Sequence, residues 1–290
     1  MYRLACVVAG LAGAVSGSVL WDGRLNEPAA AADLGRWSWE SQVGSYQYYI
    51  HGTGEISKYV NLSPDFKNPA DTASKEGIKI TIDETAKWNS DMWRTELIPE
   101  TKAAINKGKV FYHFSMMRKE ENAPNDQMEH QINFFESHFT EMKYGLNSGE
   151  QGTSNPNLQW WANSQSQWKA PLEPGVWHNV AYEIDFDGGS VGFWHSTGAE
   201  ELTQTVPPVK VSPSSNGADW HLGVLRLPKG GGATTPEDWY FSGVYIESGP
   251  LTTSVSGPGA AAAGSAADVA PAASNSSQPS SRIYGGPRRA

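Results

Sequence analysis

The stretch His178-Asn-Val-Ala-Tyr-Glu-Ile-Asp-Phe186 alternates between two kinds of side chain. Every second residue, starting at His178, falls on one largely apolar face, and the residues between them form a mostly polar face that includes Glu183 and Asp185. A period of two residues is typical of a β-strand with one buried side. The stretch therefore predicts a strand in a sheet that covers a core.

Twelve further segments carry related strand patterns, and clusters of Gly, Pro, Asn or Asp separate most of them. They are Ser18–Leu25, Tyr46–His51, Lys58–Leu62, Ile78–Asp83, Trp93–Ile98, Lys109–Met117, His130–Glu136, Thr140–Leu146, Leu158–Ala162, Ser190–Ser196, Trp220–Leu227 and Trp239–Glu247. Only Asp83–Trp88 suggests a helical turn. Thirteen short strands predict an all-β fold, a two-sheet β-sandwich of the jelly-roll type.

The composition supports one large folded domain with appendages. The chain has 290 residues, of which 39% are hydrophobic and 11% aromatic, and its net charge is −9. That much apolar material excludes general disorder. The acidic balance argues against a nucleic-acid partner, because no basic face is available to displace phosphate counterions. We expect a monomer with no membrane partner.

The first 17 residues resemble a secretory signal peptide. Arg3 precedes the apolar run Leu4–Val15, and small residues follow. The run is too short to span a bilayer, which needs roughly 20 residues. Its removal would take away Cys6, the one cysteine of the chain, and would leave a secreted protein without disulfides.

The last 35 residues differ in composition from the rest. Residues 256–290 are dominated by Ala, Ser, Gly and Pro, which predicts a flexible tail. Residues 18–255 then form the folded domain. Without both ends this domain carries a charge of about −12, from 18 basic and 30 acidic residues.

The aromatic content points to a sugar-binding surface. The chain has twelve Trp and eleven Tyr, and flat rings beside a cleft hold sugars by stacking on their C–H faces. Trp160 and Trp161 are adjacent, so one of them should point outward, and we assign Trp160 to substrate binding. For any single Trp, a place in the core is the alternative. As a group these rings predict a concave, aromatic-lined cleft.

Polar side chains at strand spacing mark candidate catalytic residues. Arg94 and Glu96 share one face of a strand, although an ion pair that braces the sheet would give the same pattern. Both faces of His130–Glu136 carry polar groups, which leaves a buried group in need of a partner. Strict alternation puts Gln131 and Glu136 on opposite faces, so either a bulge separates them or they do not share a site.

Paired carboxylates suit glycosidic cleavage, in which one acid protonates the leaving oxygen and a second group activates water or attacks the sugar. An apolar surround would raise the pKa of one Glu and keep it protonated, and we expect this for Glu136. Arg94 should favour the charged form of Glu96, which suits a base. His221 is equally consistent with a satisfied core histidine and with a functional role.

Several long motifs resemble the catalytic domain of glycoside hydrolase family 131. They are Trp21-Asp-Gly-Arg24, Trp37-Ser-Trp39, Tyr49-Ile-His-Gly52, Lys87-Trp-Asn-Ser-Asp-Met-Trp-Arg-Thr-Glu-Leu-Ile-Pro99, Phe134-Phe-Glu-Ser-His-Phe139, Asp219-Trp-His-Leu-Gly-Val-Leu-Arg-Leu-Pro228 and Glu237-Asp-Trp-Tyr-Phe-Ser-Gly-Val-Tyr-Ile-Glu-Ser248. The resemblance covers nearly the whole folded domain.

This resemblance implies a secreted β-glucanase that acts on β-1,3-, β-1,6- and β-1,4-linked glucans. It places Glu96, Glu136 and His221 in the active site. We expect Glu136 to be the acid and Glu96 the base, helped by His221, although the sequence leaves the roles of the two carboxylates interchangeable. The resemblance also implies inversion, for which the carboxyl groups should lie roughly 6.5–9.5 Å apart.

A weaker resemblance links the chain to jelly-roll alginate and glucuronan lyases, through Arg94-Thr-Glu-Leu97, Gln131-Ile-Asn133 and Lys143-Tyr-Gly145. Asn133 stands where those enzymes carry a His and cannot act as a base, and the acidic domain disfavours polyuronates. We therefore expect Arg94, Gln131, Asn133 and Lys143 to bind sugar hydroxyls. A lyase and a non-catalytic glycan-binding module remain the alternatives.

The sequence predicts no cofactor. No cluster has the spacing of transition-metal ligands, and a structural Ca²⁺ at the edge of the sandwich stays open. Asn61-Leu-Ser63 and Asn275-Ser-Ser277 match the N-glycosylation acceptor pattern.

Overall fold

The computed structural model describes residues 17–27, 30–228 and 234–258. Within these residues it contains fifteen β-strands: β1 (Ser18–Asp22), β2 (Tyr46–Ile50), β3 (Val60–Ser63), β4 (Gly77–Ile82), β5 (Trp93–Pro99), β6 (Lys109–Met117), β7 (His130–Phe135), β8 (Thr140–Tyr144), β9 (Asn157–Ala162), β10 (Gln165–Pro171), β11 (His178–Asp185), β12 (Ser190–Thr197), β13 (Thr203–Lys210), β14 (Trp220–Arg226) and β15 (Glu237–Ser248).

Helical structure in the described residues is limited to three short pieces. These are one α-helical turn, α1 (Ile56–Tyr59), and two 3₁₀ turns, at Ala31–Arg36 and Pro64–Phe66. The helical turn expected within Asp83–Trp88 is not formed. The structure has an isolated turn there, in which the amide of Ala86 donates to the carbonyl of Asp83.

The strands form two antiparallel sheets. One sheet has the order β13-β12-β11-β6-β15-β4-β3, with β1 also paired to β15. The other has the order β10-β9-β8-β7-β14-β5-β2. The alternating stretch His178–Phe186 contains β11, which pairs in register with β6 on one side and β12 on the other. The all-β, two-sheet jelly roll predicted from the sequence is confirmed.

The hydrophobic core lies between the two sheets. Each sheet contributes alternate apolar side chains to one cluster, such as Tyr182 and Phe193 from the first sheet and Trp160, Trp220 and Leu222 from the second. This packing buries one face of each sheet and leaves the other face of each available for polar side chains. The polar face of the second sheet, here called the outer face, carries the candidate catalytic residues.

Two strands of the structure, β10 and β13, were not predicted from the sequence. Both lie at the edge of a sheet, where only one side is paired and the side chains are largely exposed. β10 is mostly polar, and β13 contains Pro207 and Pro208, which argue against a strand except at an edge. Neither strand carries the hydrophobic alternation that marks a buried face.

Several sequence predictions fall on residues outside the described part of the chain. The predicted signal peptide, apart from Gly17, and the predicted tail beyond Pro258 belong to this group, as does Asn275. Asn61 is described, and its side-chain amide donates to the carbonyl of Ser57 at 2.9 Å. In the described residues no helix is long and apolar enough to cross a membrane.

Candidate active site

Three neighbouring strands bring the candidate catalytic residues together on the outer face. Glu96 lies on β5, His221 on β14, and Glu136 directly after the end of β7. Core residues Leu97, Trp220 and Leu222 alternate with Glu96 and His221 along their strands, so the two polar side chains point away from the core.

A continuous chain of charged hydrogen bonds links four side chains. Arg94 holds Glu96 in a bidentate pair, donating from Nε to Oε1 at 2.9 Å and from Nη2 to Oε2 at 2.6 Å. His221 contacts Glu96 Oε2 through Nδ1 at 2.6 Å. The other ring nitrogen of His221, Nε2, lies 3.0 Å from Oε1 of Glu136. One imidazole ring therefore separates the two carboxylates.

The two carboxylates differ sharply in exposure. The Glu96 side chain is 0% exposed, and both of its oxygens already accept hydrogen bonds, whereas the Glu136 side chain is 57% exposed. In this arrangement Glu136 is the end of the chain that a substrate can touch. Glu96 acts on it only through His221, and it has no free oxygen that could activate water directly.

His221 is the member of this chain with the most strongly shifted protonation. Burial alone would lower the pKa of its imidazole, but hydrogen bonds and charge from Glu136 and Glu96 outweigh burial and raise the pKa of His221 to about 9. The ring is therefore an imidazolium near pH 7, with both N–H groups donating to carboxylates.

The pKa of Glu136 differs from the sequence expectation. We expected an apolar surround to raise it, but the hydrogen bond from His221, only partly opposed by burial, lowers the pKa of Glu136 below its usual value. The raised pKa predicted for this carboxyl is therefore wrong for the free protein. The pKa of Glu136 is lowered by His221, which lies 85 positions later in the chain. The residues around Glu136 in the sequence therefore gave no sign of this effect.

A β-bulge places Gln131 and Glu136 on the same face. The pairing of β14 with β7 shifts between His221 and Val224, and Asn133 has a φ of 47°. Ile132 and Phe135 both point into the core although they are three residues apart, which reverses the alternation between them. From the sequence, either a bulge separated Gln131 from Glu136 or the two residues did not share a face. The structure contains the bulge.

The bulge also fixes what Asn133 does. Its side chain is fully buried, and Oδ1 accepts a hydrogen bond from the amide of Gly223 at 3.0 Å. The prediction that Asn133 binds sugar hydroxyls is wrong, because its side chain is used to hold two strands together. Gly223 is required opposite it, since an added Cβ would lie 2.2 Å from the carbonyl oxygen of Thr95.

Gln131 and Lys143 lie on the outer face, in one row across the strands. Gln131 pairs with Leu225 on one side and Lys143 on the other, and Lys143 pairs with Gln159. Lys143 is largely buried, and its Nζ lies 2.7 Å from Glu129 and 3.6 Å from Glu141. Arg94 continues the row beyond Leu225.

Trp160 is a core residue, so its assignment to substrate binding is wrong. It is fully buried and stacks on Phe193, at 4.8 Å between ring centroids, while its indole N–H donates to Thr140. Its neighbour Trp161 points to the outer face, where Nζ of Lys143 lies 4.8 Å from its ring. Leu158 and Ala162, two positions before and after Trp160, are apolar and share its face. This alternation in the sequence could have placed Trp160 in the core.

Phe134 is a further site residue that the sequence analysis did not assign. Its ring lies between two histidines in a parallel stack, 4.8 Å from His221 and 5.2 Å from His138. His138 in turn contacts Glu141 at 2.9 Å. Phe134 therefore fixes the plane of the His221 ring, and it reached this face only because of the bulge.

In the part of the chain that the structure describes, no group of three or more His, Cys, Asp or Glu side chains is arranged to hold a metal ion. The charged groups of the outer face instead neutralise one another in pairs.

Comparisons with known proteins identify the family of the folded domain. The sequence profile of the glycoside hydrolase 131 catalytic N-terminal domain matches residues 19–252. A β-glucanase catalytic domain of this family from Podospora anserina has 63% sequence identity and a TM-score of 0.82, covering 83% of this chain and 100% of its own. The family's catalytic domain from Coprinopsis cinerea has 49% identity and a TM-score of 0.79, covering 84% and 100%.

Two other comparisons contribute less. A search of curated proteins found no significant match. An alginate lyase of polysaccharide lyase family 7 matches with 10% identity and a TM-score of 0.41, covering 67% of this chain and 87% of its own.

The match to the glycoside hydrolase 131 profile spans most of the folded domain and includes every residue of the Arg94–Glu96–His221–Glu136 chain. This protein therefore belongs to glycoside hydrolase family 131.

Proposed function

We propose that this glycoside hydrolase is a secreted β-glucanase that cleaves β-1,3-, β-1,6- and β-1,4-linked glucans, with Glu136 as the carboxyl that exchanges protons with the substrate. The observation that carries the proposal is the Glu96–His221–Glu136 hydrogen-bonded chain, which ends in a single half-exposed carboxyl. The β-glucanase from Podospora anserina supports the choice of substrate class.

The proton reaches the glycosidic oxygen in two steps. A sugar bound over Glu136 displaces water and raises the carboxyl's pKa, so the proton on His221 Nε2 moves to Oε1 of Glu136. His221 is then neutral, and its Nδ1–H still donates to Glu96. Glu136 next protonates the leaving oxygen as the bond to the anomeric carbon breaks.

Glu96 and Arg94 are positioning residues in this scheme. The Arg94 pair holds the Glu96 carboxylate still, and Glu96 orients the imidazole and fixes the proton on Nδ1. This scheme differs from the division of labour expected from the sequence, in which Glu96 itself activates water. Because a carboxylate buried behind the imidazole cannot attack the anomeric carbon, the arrangement favours direct attack by water, with inversion. The attacking water releases its proton to solvent, and a proton taken up from solvent through Glu136 restores the imidazolium of His221.

The rest of the outer face offers a path for the glucan chain. Rows of side chains run across strands that are about 4.8 Å apart, so a chain lying across the strands would pass Gln131 and Trp161. Trp161 supplies a ring for stacking and Gln131 a side-chain amide for sugar hydroxyls. Nζ of Lys143 lies over one face of the Trp161 ring, 4.8 Å from its centre, which leaves the other face for a sugar.

A polyuronate lyase is less compatible with this face. Asn133 is buried and bonded to Gly223, so it offers no base, and the exposed carboxylate of Glu136 would repel a uronate group. A lyase would release products with a C4–C5 double bond that absorb in the ultraviolet. A glycan-binding module would retain function without Glu136.

The test incubates the protein with laminarin, a β-1,6-glucan, cellulose oligomers and glucuronan. Reducing ends and ultraviolet absorbance are read together for the wild type, Glu96→Gln and Glu136→Gln. We expect reducing ends from the glucans and no absorbance from glucuronan. Absence of activity on all three glucans, or full activity in both variants, would overturn the proposal.

Secretion is proposed from residues 1–17 alone. Expression of the full chain in a fungal host should yield protein in the medium whose amino terminus begins near Ser18. Full-length protein retained in the cells would contradict this part of the proposal.

A further inference from the structure

A cavity lies next to the catalytic strands, on the side of β5 away from β14. Its volume is about 430 Å³, and its walls include Trp37, Trp39, His51, Lys87 and Trp88. We propose that this cavity is a subsite that binds a glucosyl unit of the glucan chain, one or more rings away from the bond that is cleaved. The inference rests on the proposed β-glucanase function and adds a substrate-binding site to it.

The cavity exposes aromatic rings that a folded protein would otherwise cover. Trp39 is 70% exposed and Trp88 43%, and they are two of only four strongly exposed large apolar side chains among the described residues. Trp37 packs edge-on against Trp39, with ring centroids 4.8 Å apart and planes at 74°. Two rings left in water beside one cavity indicate a surface that a ligand covers.

One polar atom of the cavity wall has no partner. Trp37 is 8% exposed. Its indole Nε1 is buried and has no hydrogen-bond partner among the described residues. Indole N–H is a donor only, and a buried donor without an acceptor is destabilising. A sugar that enters the cavity would stack its ring on Trp39 or Trp88, the two exposed rings of the wall.

The cavity adjoins the catalytic residues at Arg94, which contacts a residue of the cavity wall. The guanidinium of Arg94, which holds Glu96, also lies 5.8 Å from the ring centre of Trp88. On the neighbouring strand β2, Ile50 pairs with Glu96, and His51 of the cavity wall is the next residue. With strands about 4.8 Å apart, two or three strand spacings put the cavity about 10–15 Å from Glu136.

The charges of the cavity favour a neutral sugar over a uronate. Lys87 already pairs with Asp91 at 3.2 Å. Burial, only partly offset by a hydrogen bond to the carbonyl of Gly52, lowers the pKa of His51 and leaves that ring uncharged near pH 7. A uronate carboxylate would therefore meet no unpaired cation among the described residues of the wall. Flat rings with no unpaired charge beside them fit a glucosyl unit better.

The experiment measures binding without turnover. In a Glu136→Gln background, isothermal titration calorimetry gives the Kd of cellobiose, cellohexaose and a glucuronan hexamer for Trp39→Ala and Trp88→Ala. Trp39→Phe retains a ring at the same place. Trp194→Ala is the matched control, because Trp194 lies on the first sheet and bonds to Glu183.

We expect the Kd for cellohexaose to rise about ten-fold or more in both Ala variants, with partial recovery in Trp39→Phe and no change in Trp194→Ala. Cellobiose, which is too short to reach from Glu136 to the cavity, should lose much less. An unchanged Kd for cellohexaose in both Ala variants would overturn the subsite, as would tighter binding of the glucuronan hexamer than of cellohexaose. Failure of the wild type to hydrolyse any glucan would instead overturn the proposed function.

Discussion

His221 lies at the centre of the site because each of its ring nitrogens faces a carboxylate. With a pKa of about 9, well above its usual 6.5, it carries a proton across the neutral range. In the mechanism that we propose, this proton is delivered to Glu136 when substrate arrives, and Phe134 and Glu96 hold the ring in the plane that the transfer requires. Because the proposed mechanism uses His221, Glu96 and Glu136 together, we expect the effects of their substitutions on activity to be non-additive.

The carboxylate variants separate the two roles. Glu136→Gln removes the group that contacts substrate, so kcat should fall about 10³-fold or more. Glu96→Gln leaves Glu136 in place but loses the charge that helps hold the proton on His221, and kcat should fall about 10²-fold with KM little changed. Steady-state kinetics on laminarin, with circular dichroism as a check on folding, measures both.

The pH profile of Glu96→Gln distinguishes a proton-relay role from a structural one. The alkaline limb of kcat/KM, which we assign to His221, should move to lower pH, because one of the two carboxylates that raise its pKa becomes neutral. An unchanged alkaline limb would contradict the relay, even if the activity falls.

Stability should also depend on pH through His221. Its pKa is raised on folding, so its contribution is fully present below about pH 6.5 and is lost as the pH rises through about 9. The free energy of unfolding should fall between pH 7 and 10 by on the order of 2–3 kcal/mol. Urea denaturation across this range measures it, and His221→Gln should show a clearly smaller fall.

At the scale of elements, the β7–β14 bulge decides which side chains share the outer face. Without it, Phe134 and Glu136 would point into the core, and His221 would have no acceptor on Nε2. The bulge depends on contacts between strands, namely the Asn133 side chain bonding to the amide of Gly223 and the absence of a Cβ at Gly223. An active-site carboxylate is thus positioned by a local irregularity in one strand pair.

Gly223→Ala tests the bulge. The added Cβ would overlap the carbonyl oxygen of Thr95, so we expect a loss of stability of about 3 kcal/mol or more together with loss of activity, since His221 is two residues away. Urea denaturation and kinetics measure the two effects.

Gly44→Ala is the matched control for Gly223→Ala. Gly44 also has a positive φ, of 81°, but open space around it, so it should lose only about 1–2 kcal/mol and keep its activity. Equal losses of stability in the two variants would show that close packing at the bulge is not responsible.

At the scale of the whole molecule, a buried ionic cluster joins the two sheets. Glu237 of β15 accepts from Nη1 of Arg226 at 2.5 Å and contacts Nε2 of His130 at 2.6 Å, and both partners come from the second sheet. Burial would raise the pKa of Glu237, but His130 and Arg226 lower it overall. A charge group of this kind fixes how the sheets meet at that end of the sandwich.

Removing one member of this cluster should be costly. Glu237→Gln leaves the buried Arg226 charge without its carboxylate, and we expect a loss of about 3–5 kcal/mol in the free energy of unfolding. Asp91→Asn, which breaks the exposed pair with Lys87, should change it by less than about 1 kcal/mol. Urea denaturation at pH 7 compares them, and similar small effects would show that the cluster does not hold the sheets together.

Much of the architecture could be predicted because each strand carries its own pattern. All thirteen predicted segments coincide with strands, since alternation records which face of a strand meets the core. The exceptions, β10 and β13, are edge strands with little to bury. Glu96, Glu136 and His221 were found through long motifs shared with a family, and the structure brings all three into contact.

The amino-acid sequence by itself determined thirteen of the fifteen described strands, the two-sheet sandwich and the identity of the three residues that meet at the site, because these depend on local alternation and on motifs within single segments. The tertiary structure alone decided that Trp161 rather than Trp160 faces outward beside Lys143, that Asn133 braces a bulge, and that the pKa of Glu136 is lowered. Those features depend on which atoms from distant segments surround a side chain, and hydrogen bonding and burial across strands are not encoded in the spacing along any one of them.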